Sequence, residues 1–374
     1  MTEFPISGHV SEGFEPVRDE FEANFSDDKE LGAGFSAILN GELIIDLRGG
    51  WVDRKKTRVW DENTIVPVYS TTKPIAALIL AKIIDQLPAG YETRVADIWP
   101  EFEVNGKETI TLGEMVSHQA GLTGFVEPVD PALWLDPPAC VAAIAELEPI
   151  WTPGDEQGYH PLTWGYLIGE VVRRIDGRSL GTILREEIAG PAGIDFQIGT
   201  PEEHHSRVAE IMRPRAVPDL GEINEATKAA FLTKWAAPDR GGAIWREIEI
   251  PSANGIGTSK AVAELYGIYA NGGRLNGEQV IAPTNFDALI ESRVKGQDLV
   301  LPFVTEFAAG VMRNNLNIYG PNQDTLCHSG WGGSLALGDP DQGLSAAYVM
   351  NRQSNYLQGD PRARRLVDAL YDCL

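Results

Sequence analysis

VYSTTKPIAALILAKIIDQ, residues 68–86, is apolar on nearly every face from Pro74 onward. This pattern predicts a helix buried in a large core, because a helix on the surface keeps one polar face. Pro74 suits the first turn of that helix, where the backbone N–H groups have no partner within the helix. We therefore expect the rest of the fold to be organised around this helix.

Ser70 and Lys73 stand at the start of the predicted helix, three residues apart. Residues at this spacing share one helix face, so the lysine amine can reach the serine hydroxyl. If burial keeps the amine neutral, it can accept the hydroxyl proton and leave a nucleophile beside a helix N-terminus, which favours negative charge. The alternative interpretation is an N-cap serine followed by a solvated lysine.

The Ser-x-x-Lys pattern occurs three times in the chain, and its context separates the copies. Ser26 begins a copy inside the polar run SDDKELG. Ser292 begins a copy at the predicted end of a helix, where lysine followed by glycine is a common ending. Only Ser70 precedes a long apolar helix, so it is the candidate nucleophile.

Composition excludes several classes of partner and site. The chain has 374 residues, of which 43% are hydrophobic and 23% charged, and a net charge of −23. This charge argues against binding to nucleic acid or to an anionic membrane. Three widely separated cysteines suggest neither a disulfide framework nor a metal site, and no metal or organic cofactor is expected. The N-terminus lacks a signal-peptide pattern, so a cytoplasmic location is expected.

Both ends of the chain carry strand patterns, and the middle is mostly helical. Near the N-terminus, two apolar runs flank Asn40-Gly41, which predicts a hairpin with a type I′ turn. Near the C-terminus, apolar runs separated by short turns predict further antiparallel strands. Between them, residues 88–190 carry helical spacing with Pro- and Gly-rich loops.

These patterns predict an α/β fold of the α+β type, with an antiparallel sheet flanked by helices and an inserted, mostly helical domain. Residues 1–87 and 191–374 are expected to form the sheet domain, and residues 88–190 the helical domain. The irregular residues 200–255 are expected to be an insertion that shapes a pocket. A site at the junction of the two domains is a common arrangement.

A second candidate nucleophile occurs in Gly177-Arg178-Ser179-Leu180-Gly181, which matches the Gly-x-Ser-x-Gly elbow of α/β-hydrolases. That elbow needs a strand before its serine, whereas a helical pattern precedes this one. Gly177 is therefore interpreted as a helix end, and Ser179 as the N-cap of the next helix.

Two further pieces complete a candidate site: the loop that contains Tyr159, and the strand motif His-Ser-Gly-Trp-Gly-Gly at residues 328–333. Together with Ser70 and Lys73, in this order and spacing, they resemble the serine β-lactamase and penicillin-binding-protein superfamily. The resemblance is closest to its class C-like branch, especially the family VIII carboxylesterases, and it covers nearly the whole chain.

The resemblance implies a role for each matching residue. Ser70 would be acylated, Lys73 would assist its deprotonation, and Tyr159 would exchange protons with Ser70 and the leaving group. The backbone N–H groups of Ser70 and Trp331 would form an oxyanion hole. The candidate substrate pocket contains His328, Ser329, Gly330, Trp331, His160 and Asn254.

The motifs depart from those of class C β-lactamases in ways that bear on the substrate. Pro161 stands where those enzymes carry an asparagine, and His328 stands where they carry a lysine. A histidine is mostly uncharged at pH 7, so the cation that would meet a β-lactam carboxylate is weakened. The expected substrate is therefore a small-molecule, short-chain ester.

Other interpretations remain open on the sequence alone. An amidase, peptidase, β-lactamase or acyltransferase would use the same nucleophile, and a catalytically silent binding protein would keep the fold and the pocket. Tyr159 and His328 could be packing residues. His118 is interpreted as a structural residue at a helix end. The sequence leaves the oligomeric state undetermined.

Overall fold

The computed structural model describes residues 4–27, 29–214, 216–237 and 242–374. Within these residues the largest feature is one antiparallel sheet of nine strands, called the main sheet below. From one edge to the other its strands are β1 (Ile6–Val10), β3 (Glu42–Gly50), β2 (Gly32–Leu39), β14 (Leu344–Met350), β13 (Leu335–Asp339), β12 (Leu326–Ser329), β11 (Met312–Arg313), β10 (Val304–Phe307) and β9 (Val294–Gln297).

The N-terminal and C-terminal parts of the chain meet inside the main sheet, where β2 and β14 are the third and fourth of its nine strands. Strand β2 pairs with β3 across Asn40 and Gly41, whose φ angles of 51° and 85° suit a type I′ turn. On its other side β2 pairs with β14, from Leu39 opposite Leu344 to Ala33 opposite Met350. The prediction of one antiparallel sheet built from both ends of the chain is confirmed.

Two small sheets accompany the main sheet. One contains β4 (Val66–Pro67), β6 (Gly255–Gly257) and β5 (Phe196–Ile198), and the other contains β7 (Arg274–Leu275) and β8 (Glu278–Gln279). Strand β4 leads directly to Ser70, and the Val68 N–H donates to Gly255 O at 2.9 Å. The first small sheet therefore fixes the direction from which the chain reaches Ser70.

Helices fill the space on and beside the main sheet. The α-helices are α1 (Glu15–Ser26), α2 (Thr72–Ile83), α3 (Val95–Ile98), α4 (Leu112–Val116), α5 (Pro137–Ala145), α6 (Thr163–Asp176), α7 (Leu180–Ile183), α8 (Gly190–Ala192), α9 (Glu225–Thr227), α10 (Ala243–Glu247), α11 (Ser259–Ala270), α12 (Pro283–Ile290) and α13 (Pro361–Asp372). Turns of 3₁₀ helix span Tyr69–Thr71, Ile84–Gln86, Gly90–Glu92, Pro100–Phe102, Leu133–Leu135 and Glu202–Arg207, and π-helical turns span Leu184–Ala189 and Lys228–Leu232. None of the described helices is both long and apolar enough to cross a membrane.

Helix α2 lies at the centre of the core, as its apolar sequence predicts. Every residue from Thr72 to Ala81 is buried. Helix α11 packs on the main sheet and also contacts α2. Its Tyr266 and Tyr269 hydroxyls donate to the carbonyls of Thr71 and Pro74, at 2.9 and 2.7 Å. These hydrogen bonds attach the start of α2 to α11, the helix that packs on the main sheet.

Two edge strands differ from the sequence-based expectation. Strand β1 has no counterpart in the predicted elements. Lys295, which the sequence places at a helix end, instead lies in β9, because α12 already ends at Ile290. Its amine pairs with the Glu306 carboxylate at 2.8 Å across the β9–β10 ladder, a contact between residues that face each other in two strands.

Candidate active site

Ser70 lies in the 3₁₀ turn Tyr69–Thr71, immediately before α2. The residue before it, Tyr69, has a φ of +50°, which is uncommon for a side chain of this size and marks a constrained turn. The N-cap of α2 is Thr71, which makes no side-chain capping bond. Ser70 is therefore not the N-cap of this helix, and the alternative interpretation of Ser70 as an N-cap serine is wrong.

Lys73 is fully buried, with 0% of its surface exposed. Its amine lies 3.3 Å from Ser70 Oγ, and it donates to Pro161 O at 3.0 Å and to Ser252 O at 3.1 Å. Burial lowers the pKa of this amine well below its usual value. A neutral amine has two N–H groups, which the two carbonyls satisfy, so its lone pair is left for the Ser70 hydroxyl proton.

The Tyr159 side chain packs against Lys73, whose amine lies 4.6 Å from the centre of the phenol ring. Burial raises the pKa of the Tyr159 hydroxyl, and the neighbouring Ser70 hydroxyl opposes that rise. The Tyr159 oxygen is buried but makes no well-oriented hydrogen bond within the described residues. Buried polar atoms are normally satisfied, so this hydroxyl suits a role toward a bound molecule.

Asp298, in the connection between β9 and β10, holds the backbone at Tyr159. One carboxylate oxygen accepts the N–H groups of Tyr159, Val300 and Leu301 at 2.8 to 3.0 Å, and the other accepts the Thr305 hydroxyl at 3.2 Å. Burial raises the pKa of this carboxyl to about 6. The sequence offers no local signal for this contact, because about 140 residues separate its partners.

His328 lies in β12, and its ring faces Tyr159 with 5.9 Å between ring centres. Its Nδ1 donates to Ser329 O at 2.7 Å, and its Nε2 is buried without a hydrogen-bond partner among the described residues. Burial lowers the pKa of His328 to about 3. The imidazole is therefore neutral at pH 7, and its Nε2 presents a lone pair rather than a proton.

The turn after β12 is attached to the turn that carries Ser70. The Gly330 N–H donates to Ser334 O at 2.8 Å, and the Ser334 hydroxyl donates to Val68 O at 2.7 Å. The Thr71 and Ser334 hydroxyls are 3.1 Å apart. A side chain at Gly330 would overlap Val68 O, so the close approach of the two turns requires glycine. Trp331 follows Gly330 in this turn and lines the same cavity as Ser70.

A cavity opens at Ser70, and the space within it is about 590 Å³, part of it open to solvent. Four of the predicted site residues line it together with Ser70, namely Tyr159, His328, Ser329 and Trp331. Most of the remaining wall is apolar and comes from distant parts of the chain: Leu162, Phe231, Ala253, Leu301, Met312 and Leu357. The sequence does not single out any of these apolar residues.

Three predicted pocket residues lie outside the cavity wall: Gly330, in the turn described above, and the two buried residues His160 and Asn254. His160 is buried behind it, where its Nδ1 donates to Gly158 O at 2.6 Å and its Nε2 accepts the Leu122 N–H at 2.8 Å. The Asn254 amide donates to Trp245 O and Ile248 O, and its carbonyl accepts the Ile250 N–H. Both side chains are occupied by backbone contacts, so the structure gives them structural positions.

His118 follows α4 and adopts a φ of +68°, in agreement with its interpretation as a helix-end residue. Its buried ring also contacts the site from behind: Nδ1 accepts the His160 N–H at 3.1 Å, and the ring lies 4.9 Å from that of Tyr159. Burial lowers the pKa of His118 well below its usual value. This packing role around Tyr159 is not visible in the sequence.

Ser179 is the N-cap of α7, as the sequence predicts, and Gly177 ends α6 with a φ of +88°. The Ser179 hydroxyl donates to a Glu249 carboxylate oxygen at 2.6 Å, and no strand precedes it. The elbow alternative is therefore wrong. Among the described residues, no group of three or more His, Cys, Asp or Glu side chains is placed to bind a metal ion.

Comparison with known proteins agrees with this arrangement. The beta-lactamase family model matches residues 18–370. The chain is 29% identical to the esterase/beta-lactamase LipL of Mycobacterium tuberculosis, over 93% of this chain and 83% of that protein.

Two solved structures superpose over nearly the full length of the chain. A penicillin-binding protein homologue from Caulobacter crescentus is 48% identical, with a TM-score of 0.96 over 99% of this chain and all of that one. A family VIII carboxylesterase is 38% identical, with a TM-score of 0.91 over 99% of this chain and all of that one. The predicted resemblance is confirmed, and the chain belongs to the beta-lactamase family.

Proposed function

We propose that the protein is a serine carboxylesterase that hydrolyses small-molecule carboxylic esters through an acyl-enzyme on Ser70. The observation that carries this proposal is the 3.3 Å contact between Ser70 Oγ and the amine of a completely buried Lys73. Burial favours the neutral amine, which is the form that accepts a proton. The esterase relatives support the assignment to esters.

In the acylation step, Lys73 accepts the Ser70 proton while Oγ attacks the ester carbonyl carbon. The N–H groups of Ser70 and Trp331 would receive the developing negative charge on the carbonyl oxygen. Burial raises the pKa of Tyr159, so its phenol keeps its proton and can transfer it to the departing alkoxide. The Lys73 ammonium then returns a proton to the tyrosinate. Water attacks the acyl-enzyme in a second step that releases the acid and restores Ser70.

The charge of the cavity favours an uncharged substrate. His328 occupies the position at which a cation would meet an anionic substrate, and its lowered pKa of about 3 keeps it neutral. The cavity wall is mostly apolar. A carboxylate buried there would lack a compensating charge from His328, and burying an unpaired charge is costly. An uncharged ester avoids this cost.

Hydrolysis of p-nitrophenyl butyrate at pH 8 tests the proposal. We expect turnover by the wild type and none by Ser70→Ala, with an added butyryl mass on Ser70 when the wild type is quenched during turnover. Ser179→Ala is the matched control, since it removes a serine hydroxyl outside the cavity, and it should keep full activity. Equal activity of wild type and Ser70→Ala would refute the proposal.

A β-lactamase activity is the second candidate, because the relative LipL carries both activities in its name. The neutral His328 argues against efficient binding of an anionic β-lactam. We therefore expect kcat/KM for nitrocefin to be at least about a hundredfold below that for p-nitrophenyl butyrate, which corresponds to the loss of one charge-assisted contact of about 3 kcal/mol. Comparable values for the two substrates would make β-lactam hydrolysis the better assignment.

A further inference from the structure

A second, larger space adjoins the Ser70 cavity. This groove encloses about 1650 Å³, part of it open to solvent, and it shares Tyr69, Phe231 and Trp331 with the Ser70 cavity. The Phe231 and Trp331 rings lie 5.9 Å apart at this boundary. A molecule attached to Ser70 could therefore continue past these aromatic rings into the groove.

Most of the groove lining is apolar and belongs to residues 208–214, 216–220 and 231–237. Its apolar side chains include Ile211, Pro214, Val217, Leu220, Leu232 and Ala236. Glu210, Arg213 and Arg246 also contact the groove, and Glu210 forms a salt bridge with Arg54 at 3.1 Å. The groove is thus suited to an elongated apolar group rather than to a polar one.

Two of these apolar side chains are unusually exposed. Val217 is 82% exposed and Leu232 is 55% exposed, and both face a groove that leads to the catalytic serine. Isolated exposed apolar residues are common on proteins, but apolar residues grouped in a groove mark a binding surface. Covering these side chains with a substrate would remove them from water and favour its binding.

The position of Tyr159 decides which half of an ester enters the groove. In the proposed mechanism Tyr159 gives a proton to the departing alcohol, so the alcohol lies on the Tyr159 side of Ser70. That side is the smaller cavity, where Tyr159 and His328 form part of the wall. Neither residue lines the groove, whose contacts with the site are on the Tyr69 and Trp331 side. The acyl half is therefore the one directed toward the groove.

We propose that this groove is an acyl-binding subsite, so the preferred substrates are esters with a long, uncharged, apolar acyl chain and a small alcohol. The proposal rests on the proposed esterase function and goes beyond short-chain esters. Each methylene moved from water to an apolar site favours binding about fourfold. We therefore expect kcat/KM to rise with acyl length until the groove is filled.

A chain-length series tests the subsite. The substrates are p-nitrophenyl acetate, butyrate and octanoate, each below its micelle-forming concentration, and the proteins are wild type, Val217→Asp, Leu232→Asp and Leu135→Asp. Leu135 is a matched control because it is 41% exposed and lies outside both spaces. A parallel series of ethyl and octyl acetate varies only the alcohol.

For the wild type we expect kcat/KM to be at least about tenfold higher for octanoate than for acetate, and no gain from ethyl to octyl acetate. Val217→Asp and Leu232→Asp should lower kcat/KM for octanoate about tenfold and leave acetate within about twofold, while Leu135→Asp should match the wild type. Acetate hydrolysis that depends on Ser70 but shows no gain with acyl length would overturn the subsite and leave the esterase proposal standing. A gain with alcohol length instead would assign the groove to the other half of the ester. If the wild type hydrolyses none of these esters in a Ser70-dependent way, the esterase proposal itself is refuted.

Discussion

At the scale of single residues, the Lys73 amine is buried and held by three contacts. Among the described residues, no carboxylate forms an ion pair with its buried amine, and its contacts are two carbonyls and the Ser70 hydroxyl. A buried ammonium without an anion is costly, so the protein favours the neutral amine. This preference supplies a proton acceptor next to Ser70 without a histidine.

We predict that Lys73→Met and Lys73→Arg both lower kcat for p-nitrophenyl butyrate by about 10² to 10⁴, the usual contribution of a general base. Methionine has no basic nitrogen, and arginine stays protonated in proteins. Lys82→Met, on the same helix, should keep wild-type activity, because Lys82 is partly exposed and pairs with Glu187 at 3.3 Å. Substantial activity of Lys73→Arg would show that positive charge, and not proton acceptance, is what the site requires.

Asp298 should act as a hydrogen-bond acceptor that positions Tyr159. Asp298→Ala leaves three N–H groups and one hydroxyl without an acceptor, so we expect a loss of at least about 3 kcal/mol in the free energy of unfolding and a kcat lowered by at least about tenfold. Asp298→Asn keeps an acceptor oxygen toward the N–H groups. It should therefore retain most of the free energy of unfolding and most of kcat. Urea unfolding and steady-state kinetics measure the two effects. If Asn is as damaging as Ala, the negative charge is the property that matters.

At the scale of elements, the β12–β13 turn and the Ser70 turn have to approach closely. Gly330→Ala would force them apart, because the added carbon overlaps Val68 O. We expect kcat to fall by about a hundredfold, as for a displacement of about 1 Å in a catalytic group, while circular dichroism shows that the fold is retained. Gly296→Ala in β9, where the nearest atom is 3.8 Å away, should behave as wild type. Unchanged kcat in Gly330→Ala would mean that this contact does not position the site.

The elements that the sequence predicts correctly are those with a strong local signal. The apolar run after Pro74 identifies α2, and Asn40-Gly41 identifies the β2–β3 turn. Strand β9 is misread as a helix end because its residues VKGQ carry no apolar alternation, and its strand conformation depends on pairing with β10. The site follows the same rule: the spacing of Ser70 and Lys73 is local, whereas the contact of Asp298 with Tyr159 exists only in the folded chain.

At the scale of the whole molecule, the buried histidines should make the protein sensitive to acid. Burial lowers the pKa of His160 to about 3, so the unfolded chain takes up a proton near pH 6.5 that the folded protein does not accept. The stability due to neutral His160 is therefore complete above pH 6.5 and is lost as the pH falls toward 3. Each unit below 6.5 removes up to about 1.4 kcal/mol.

We predict that His160→Gln has a shallower loss of stability with acid than the wild type, with a difference of about 2 to 3 kcal/mol accumulating between pH 6.5 and pH 4.5. Urea unfolding followed by tryptophan fluorescence at four pH values measures both slopes. Comparing slopes separates the protonation effect from any constant cost of the substitution. Equal slopes of unfolding free energy against pH in the two proteins would show that His160 is protonated as easily in the folded protein as in the unfolded chain.

The pairing of β2 with β14 also sets the order of events during synthesis on the ribosome. The N-terminal hairpin leaves the exit tunnel early, yet β14, its partner in the sheet, is translated about 300 residues later, a delay of roughly 15 to 60 s at ordinary elongation rates. During that time β2 is paired with β3 on one side only, and the edge that will face β14 is open. Open strand edges invite aggregation. A nascent chain is therefore expected to need protection by a chaperone until β14 has been made and has paired with β2. A ribosome stalled before residue 344 carries Ser70 without the complete sheet that supports it.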